Sequence, residues 1–208
     1  MKKMLLVYDI VIFIYSCTPI KYATEDYVSK NIDYNSLLKS KIVFYGAQKF
    51  NTADYDTVFK KIYPDINTLN HNIFNVFLDE LADNKSKITI TEGIGRIPEE
   101  LLGVASFKTA DFKKVDTFFS QVKEEYLFII KQLTIHKENS KSAGSIMNSP
   151  ACRVTIAFEC WEVKNQNKII SGYTSGFSDR EDINDAIKKA VQNAADYLLQ
   201  KGDKNQVW

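Results

Sequence analysis

The stretch RVTIAFECWEVKNQNKIISGYTSGFS, Arg153 to Ser178, decides the fold. Val154, Ile156, Phe158 and Cys160 alternate with Arg153, Thr155, Ala157 and Glu159, which is the period of a half-buried strand. KNQN (164–167) has turn chemistry, and KIISGYTSGF (168–177) returns as a second strand. Pairing Val163 with Lys168 sets Phe158 opposite Tyr173 and Val154 opposite Phe177, so one face gathers the large apolar groups. On the other face Gly172 then lies across from Glu159, and Gly176 from Thr155. Glycine inside a strand marks close approach of another backbone.

Working outward, SDRE (178–181) reads as a capping box, with Ser178 as the cap and Glu181 reaching back. Ile183, Ala186, Ile187, Ala190, Val191, Ala194 and Leu198 line one face of the helix it opens, and Gly202 stops it. The alanines at spacing four let that helix lie close on a sheet. Upstream, EYLFIIKQLTI (125–135) is apolar enough in its front half for a central strand, and HKENSKSAGSIMNSP (136–150) reads as a loop. Pro98 starts the first of two short helices within 98–122, PEELLG and DFKKVDTFFSQVK. SKITIT (86–91) alternates as a strand. Ile66, Leu69, Ile73, Phe77 and Leu81 form a helical stripe, and KIVFYGA (41–47) is a short buried strand. The element order is β-α-β-(α)-β-β-β-α: an α/β (α+β) fold with a single mixed sheet and helices packed on it.

The amino-terminal MKKMLLVYDIVIFIYSC (1–17) is of another kind. Its apolar run, Met4 to Tyr15, is shorter than the roughly 20 residues of a membrane-spanning helix. A basic start followed by such a run is the make-up of a secretory signal. Ile14-Tyr15-Ser16-Cys17 resembles the lipobox of bacterial lipoproteins, although Tyr15 is bulky and Asp9 interrupts the run. The rival reading is a β-strand over 4–16, since Val, Ile, Phe and Tyr favour strands. The following residues are polar and without period, as a tether is. The organisation expected is a signal peptide (1–16), a tether carrying lipid on Cys17 (17–40), one α/β domain (41–202) and a tail (203–208).

Residues 1–16 hold two lysines and one aspartate. Removing them from 27 basic and 26 acidic side chains leaves 25 of each. That balance lacks the basic excess of a nucleic-acid binder and offers little attraction to anionic lipid, so membrane attachment falls to the anchor. Cys152 and Cys160 are eight residues apart in one strand, about 26 Å at strand rise. That is too far for a disulfide, so they read as small buried hydrophobes.

The sequence presents no catalytic constellation. TEGIGRIPEE (91–100) has Gly93 and Gly95 after a strand, but Pro98 stands where a dinucleotide fingerprint needs its third glycine. No phosphate-binding loop and no nucleophile elbow appear. His71 and His136 have no ligand at metal spacing, so no metal and no cofactor are expected. The carboxylates of PEE, KEE and SDREDIND suit helix starts. Trp161, Tyr173, Phe177 and Trp208 are the large aromatics that could serve recognition. Trp161 falls on the face opposite Phe158, either under a helix or exposed as a partner anchor.

With the cysteine signal, the 126–135 strand, the hairpin and the alanine-containing helix 179–202 in hand, the chain resembles a group of periplasmic lipoproteins. These are relatives of the curli secretion-channel subunit, activators of penicillin-binding proteins, and the amino-terminal domain of the Tol translocation protein. The resemblance covers 125–202 well and 41–91 loosely. It implies an envelope protein that binds partners or builds assemblies without a catalytic centre, and it carries over one residue, Cys17, as the lipid-bearing position. The expectation is a non-enzymatic lipoprotein of the cell envelope, facing periplasm or cell surface. It would be attached to the membrane through Cys17 and meet an envelope protein partner through residues such as Trp161 or Tyr173. Two other readings stand beside it: a soluble intracellular α/β enzyme with 4–16 as a strand, and an envelope glycan- or lipid-binding module whose Trp161 or Tyr173 stacks on the ligand.

Overall fold

The computed structural model describes residues 25–29, 32–52, 55–83, 87–103, 111–140 and 149–199. The strands are β1 (Glu25–Val28), β2 (Lys41–Tyr45), β3 (Lys49–Asn51), β4 (Thr89–Glu92), β5 (Tyr126–Ser140), β6 (Ser149–Glu162) and β7 (Asn167–Ser178). The helices are α1 (Tyr34–Leu37), α2 (Asp56–Ile62), α3 (Ile66–Asp83), α4 (Phe112–Gln121) and α5 (Ile183–Leu199). One mixed sheet runs β1-β7-β6-β5-β2-β4, with β3 also on β5. The pairs β2–β4, β2–β5 and β3–β5 are parallel, and β5–β6, β6–β7 and β1–β7 are antiparallel. The α/β expectation holds.

The larger core lies between one face of this sheet and helices α3 and α5. Leu69, Ile73, Phe77 and Leu81 are buried along α3, while Ile66 at its start stays half exposed. Phe44, Phe77 and Phe128 pack with ring centroids 4.7–5.6 Å apart, and Phe128 stacks on Phe158 at 5.4 Å. On the other face, α4 and the turn after Pro98 bring Phe119, Ile97 and Leu101 over Val43, Tyr45, Leu127 and Ile129. Leu127 to Ile130 are therefore buried on both sides, which accounts for the continuous apolar run there.

Several expectations need correction. The hairpin register is shifted: Glu162 pairs with Asn167, Trp161 with Lys168, and then a bulge moves the pairing to Cys160–Ile170, Phe158–Gly172 and Val154–Gly176. Tyr173 therefore sits opposite Ala157, and Phe177 opposite Arg153. On β7 the face shared with Phe158 holds Gly172 and Gly176 rather than Tyr173 and Phe177, and α5 lies against it. A Cβ at Gly176 would stand 2.0 Å from the Ala186 carbonyl oxygen. The close backbone approach at Gly176 thus falls on the core face, not on the face of Glu159.

The α5 cap is Asp182 rather than Ser178. Its Oδ1 accepts the amides of Asn184 (2.9 Å) and Asp185 (3.2 Å). Glu181 has a left-handed φ of 55°, and its carboxylate accepts the Tyr55 hydroxyl at 2.9 Å. PEELLG makes turns only, with Leu101 N bonded to the Pro98 carbonyl, and Gly103 at φ 70° ends it. The loop expected over 136–150 supplies strand at both ends, in β5 and β6.

The described part of the stretch read as a tether is folded. Glu25–Val28 forms an edge strand on β7, and Leu37 is fully buried. Residues 1–16, Cys17 and the tail 203–208 lie outside the described residues.

Candidate functional site

On the α4 side, the described residues leave a groove of about 550 Å³ on the sheet face, running over β5, β6 and β7. Two bulges shape it. Between Ile130 and Gln132 the β5 ladder skips a residue, so Lys131 is the extra one. Across the sheet, the bulge at Cys160/Trp161 leaves Ile169 extra and brings Lys168 opposite Trp161. Bulges re-aim side chains, and here both lysines reach one carboxylate. Glu159 Oε1 accepts Lys131 Nζ at 2.9 Å and Lys168 Nζ at 3.4 Å. Glu159 Oε2 accepts Trp161 Nε1 at 3.0 Å.

Glu159 is only 5% exposed, so its charge needs these partners. With both oxygens taken, it is poorly placed to accept a proton from a substrate. Tyr173 lies farther along β7 on the same face, 44% exposed, with Ser171, Thr155 and Thr134 around it. The face continues past Thr155 and Tyr173 to His136 and Arg153. There Arg153 Nη2 donates to Glu138 Oε2 at 3.1 Å, and the guanidinium lies 5.4 Å from the Phe177 ring centre.

Of the two expected recognition residues, both face this side of the sheet, but in different settings. Trp161 is half buried beside Phe119, ring centres 5.9 Å apart. Tyr173 stands in the open groove. Glu159 and Lys168 enter the sequence pattern only as strand positions and Lys131 is not singled out; the ion-pair cluster they form has no local signal beyond a glutamate on an alternating strand.

The remaining candidates are structural. Cys152 and Cys160 are free and buried, and burial pushes their thiols up to about 11 and about 12 respectively; such thiols are poor nucleophiles. His71 Nδ1 lies 3.0 Å from Glu92 Oε2 at the surface, a pairing invisible in sequence. Among the described residues no group of three or more His, Cys, Asp or Glu side chains could hold a metal ion, and no helix is long and apolar enough to cross a membrane.

The structure thus defines a mixed α/β domain with one sheet face partly open. No family model matches the chain, and no curated protein matches it in sequence. Solved structures similar to it include a hypothetical protein from Chlamydia trachomatis, at 5% identity and TM-score 0.43, covering 79% of this chain and 95% of that one. They also include the PelC dodecamer from Paraburkholderia phytofirmans, at 11% identity and TM-score 0.35, covering 74% and 85%. A lipoprotein from Neisseria meningitidis is similar at 11% identity and TM-score 0.35, covering 67% and 83%. At this identity and overlap the likenesses speak to no activity.

Proposed function

We propose that this is a lipid-anchored protein of the bacterial cell envelope, acting by non-catalytic binding of a protein partner on the open face of its sheet. The observation that carries the location is the basic, then apolar, stretch ending in Ile14-Tyr15-Ser16-Cys17. Binding rather than catalysis is favoured by Glu159, whose two oxygens are occupied by Lys131, Lys168 and Trp161. With lipid on Cys17, the chain to Glu25 spans at most roughly 25–30 Å. The strand at Glu25–Val28 would then hold the domain close to the membrane.

The test is intact mass and membrane partitioning of the native protein beside a Cys17→Ala variant. The expected result is a chain shortened to Cys17, carrying acyl mass and sedimenting with membranes, with all three lost in the variant. A full-length, unacylated, soluble native chain would sink the proposal.

A further inference from the structure

We infer that the groove on the open sheet face takes an acidic peptide segment of the partner, an inference that rests on the binding role proposed above. Charge complementarity is the first argument. The groove is lined by Lys49, Lys131 and Lys168 against a single carboxylate, Glu159, and that carboxylate is already engaged by two of the lysines. In a chain whose charges balance at 25 basic and 25 acidic side chains beyond residue 16, the described lining of this concave face carries three ammonium groups to one carboxylate.

The kind of donor is the second argument. Strand N–H groups lie in the plane of the sheet, so the face offers no nest of amides of the sort that grips a compact phosphate. It offers ammonium groups spread over three strands, β3, β5 and β7, with Thr134, Thr155 and Ser171 in the same lining. Spaced point charges suit carboxylates spaced along a chain, and the hydroxyls suit its peptide groups. The half-exposed Tyr173 ring supplies apolar contact at one end. The volume, about 550 Å³, falls in the range of roughly 300–1,000 Å³ that holds small ligands. It holds a few residues of a peptide rather than a folded surface.

The experiment is fluorescence anisotropy of a labelled hexaglutamate peptide with the full chain, with melting curves recorded for every variant. Binding that weakens as salt rises is expected. Lys49→Glu, which reverses a charge outside the Glu159 network, is expected to weaken binding about tenfold or more, with melting unchanged. Tyr173→Ala is expected to weaken it by a few-fold, again with melting unchanged. Absence of hexaglutamate binding, or binding equal in wild type and Lys49→Glu, overturns the inference. So does competition by pyrophosphate as effective as that by unlabelled hexaglutamate, which would mean a compact anion site. Binding of the Cys17→Ala chain to phosphatidylglycerol vesicles that Lys49→Glu weakens, as it would not if the apolar run 4–15 were the cause, would make the face a lipid surface and overturn it too. Failure of the peptide to bind leaves the acylation of Cys17 untouched, and failure of acylation leaves peptide binding untouched, so the two ideas fail separately.

Discussion

Gly176 faces the backbone of Ala186 so closely that a Cβ on residue 176 would stand 2.0 Å from the Ala186 carbonyl oxygen and 2.5 Å from the Ala190 amide nitrogen. Backbone on the far side cannot swing away as a flexible side chain does. Thr174, one strand pleat away, donates its hydroxyl to the Ala190 carbonyl at 2.9 Å, so helix and sheet are also tied there. Gly176→Ala is expected to destabilise the domain by about 3 kcal/mol or more, at or beyond the usual overpacking cost. Urea denaturation measures it; a loss under about 1 kcal/mol would mean the helix is not held at this distance.

The Glu159 network is asymmetric, and so are the expected costs. Lys131→Met strips an ammonium partner from a carboxylate that is 5% exposed, and is expected to cost about 1–3 kcal/mol. Glu159→Gln leaves lysines whose side chains are 24% and 35% exposed and can turn to water. It is expected to cost less than about 1 kcal/mol. Denaturation midpoints of the two variants, side by side, check the order. The reverse order would mean that the lysines, not the carboxylate, are the group that burial penalises.

Stability should fall on the alkaline side. The thiols of Cys152 and Cys160 are raised from 9.0 to about 11 and about 12, chiefly by burial, so the folded protein keeps protons that the unfolded chain releases. Their contribution is fully present below pH 9 and is lost as pH climbs towards those folded values. Between pH 8 and 10 the loss is expected to be about 1 kcal/mol for each thiol. The Tyr45, Tyr63 and Tyr126 hydroxyls, also raised by burial from 10.0, act in the same direction at higher pH. Thermal melts across this range check the slope, which Cys160→Ala should make shallower even though it lowers stability at every pH. An unchanged slope in that variant would exclude Cys160 as a source.

At the start of α5, Asp182→Ala is expected to cost about 1 kcal/mol, because its Oδ1 receives two otherwise orphaned amides. Ser178→Ala should cost less, since Ser178 Oγ accepts only longer contacts from Arg180 (3.4 Å) and Asp182 (3.3 Å) ahead of the helix. Melting temperatures of the two variants decide between this order and the one a capping box at Ser178 would produce.

At the hairpin turn, Gln166 has a φ of 52°, a conformation that costs an ordinary L residue roughly 1 kcal/mol. Gln166→Gly is expected to raise stability by about 0.5 kcal/mol or more. A lower melting temperature in that variant would show that the strain is compensated by contacts of the Gln166 side chain.

The elements that could be read from the chain are those whose signal is local. The α3 stripe at Leu69, Ile73, Phe77 and Leu81 and the α5 stripe from Ile183 to Leu198 repeat at the helical period. The alternation through Val154, Ile156, Phe158 and Cys160 repeats at the strand period. Solvent on one side and core on the other impose those periods regardless of partners. The glycine at 176 signals a close backbone approach, which the structure shows on the core face.

The pieces that could not be read depend on distant atoms. Glu25–Val28 and Lys49–Asn51 are too short to carry a period; they are strands because β7 and β5 offer them hydrogen-bonding partners. The face that Tyr173 occupies is not legible in the chain, because strand side chains alternate with period 2 and a one-residue slip sends every group to the opposite side. The bulge at Cys160/Trp161 sets that slip, and together with the one at Lys131 it brings Lys131 and Lys168 to Glu159. The long helices α3 and α5, the central strands and the α/β class are written in the chain, because hydrophobic period is a property of neighbouring residues, whereas the short α1 and α2 carry no such period. Only the tertiary structure decided the register and hence the groove, because the choice between registers lies in whether α5 can rest on Gly176 and whether a buried carboxylate finds its two lysines.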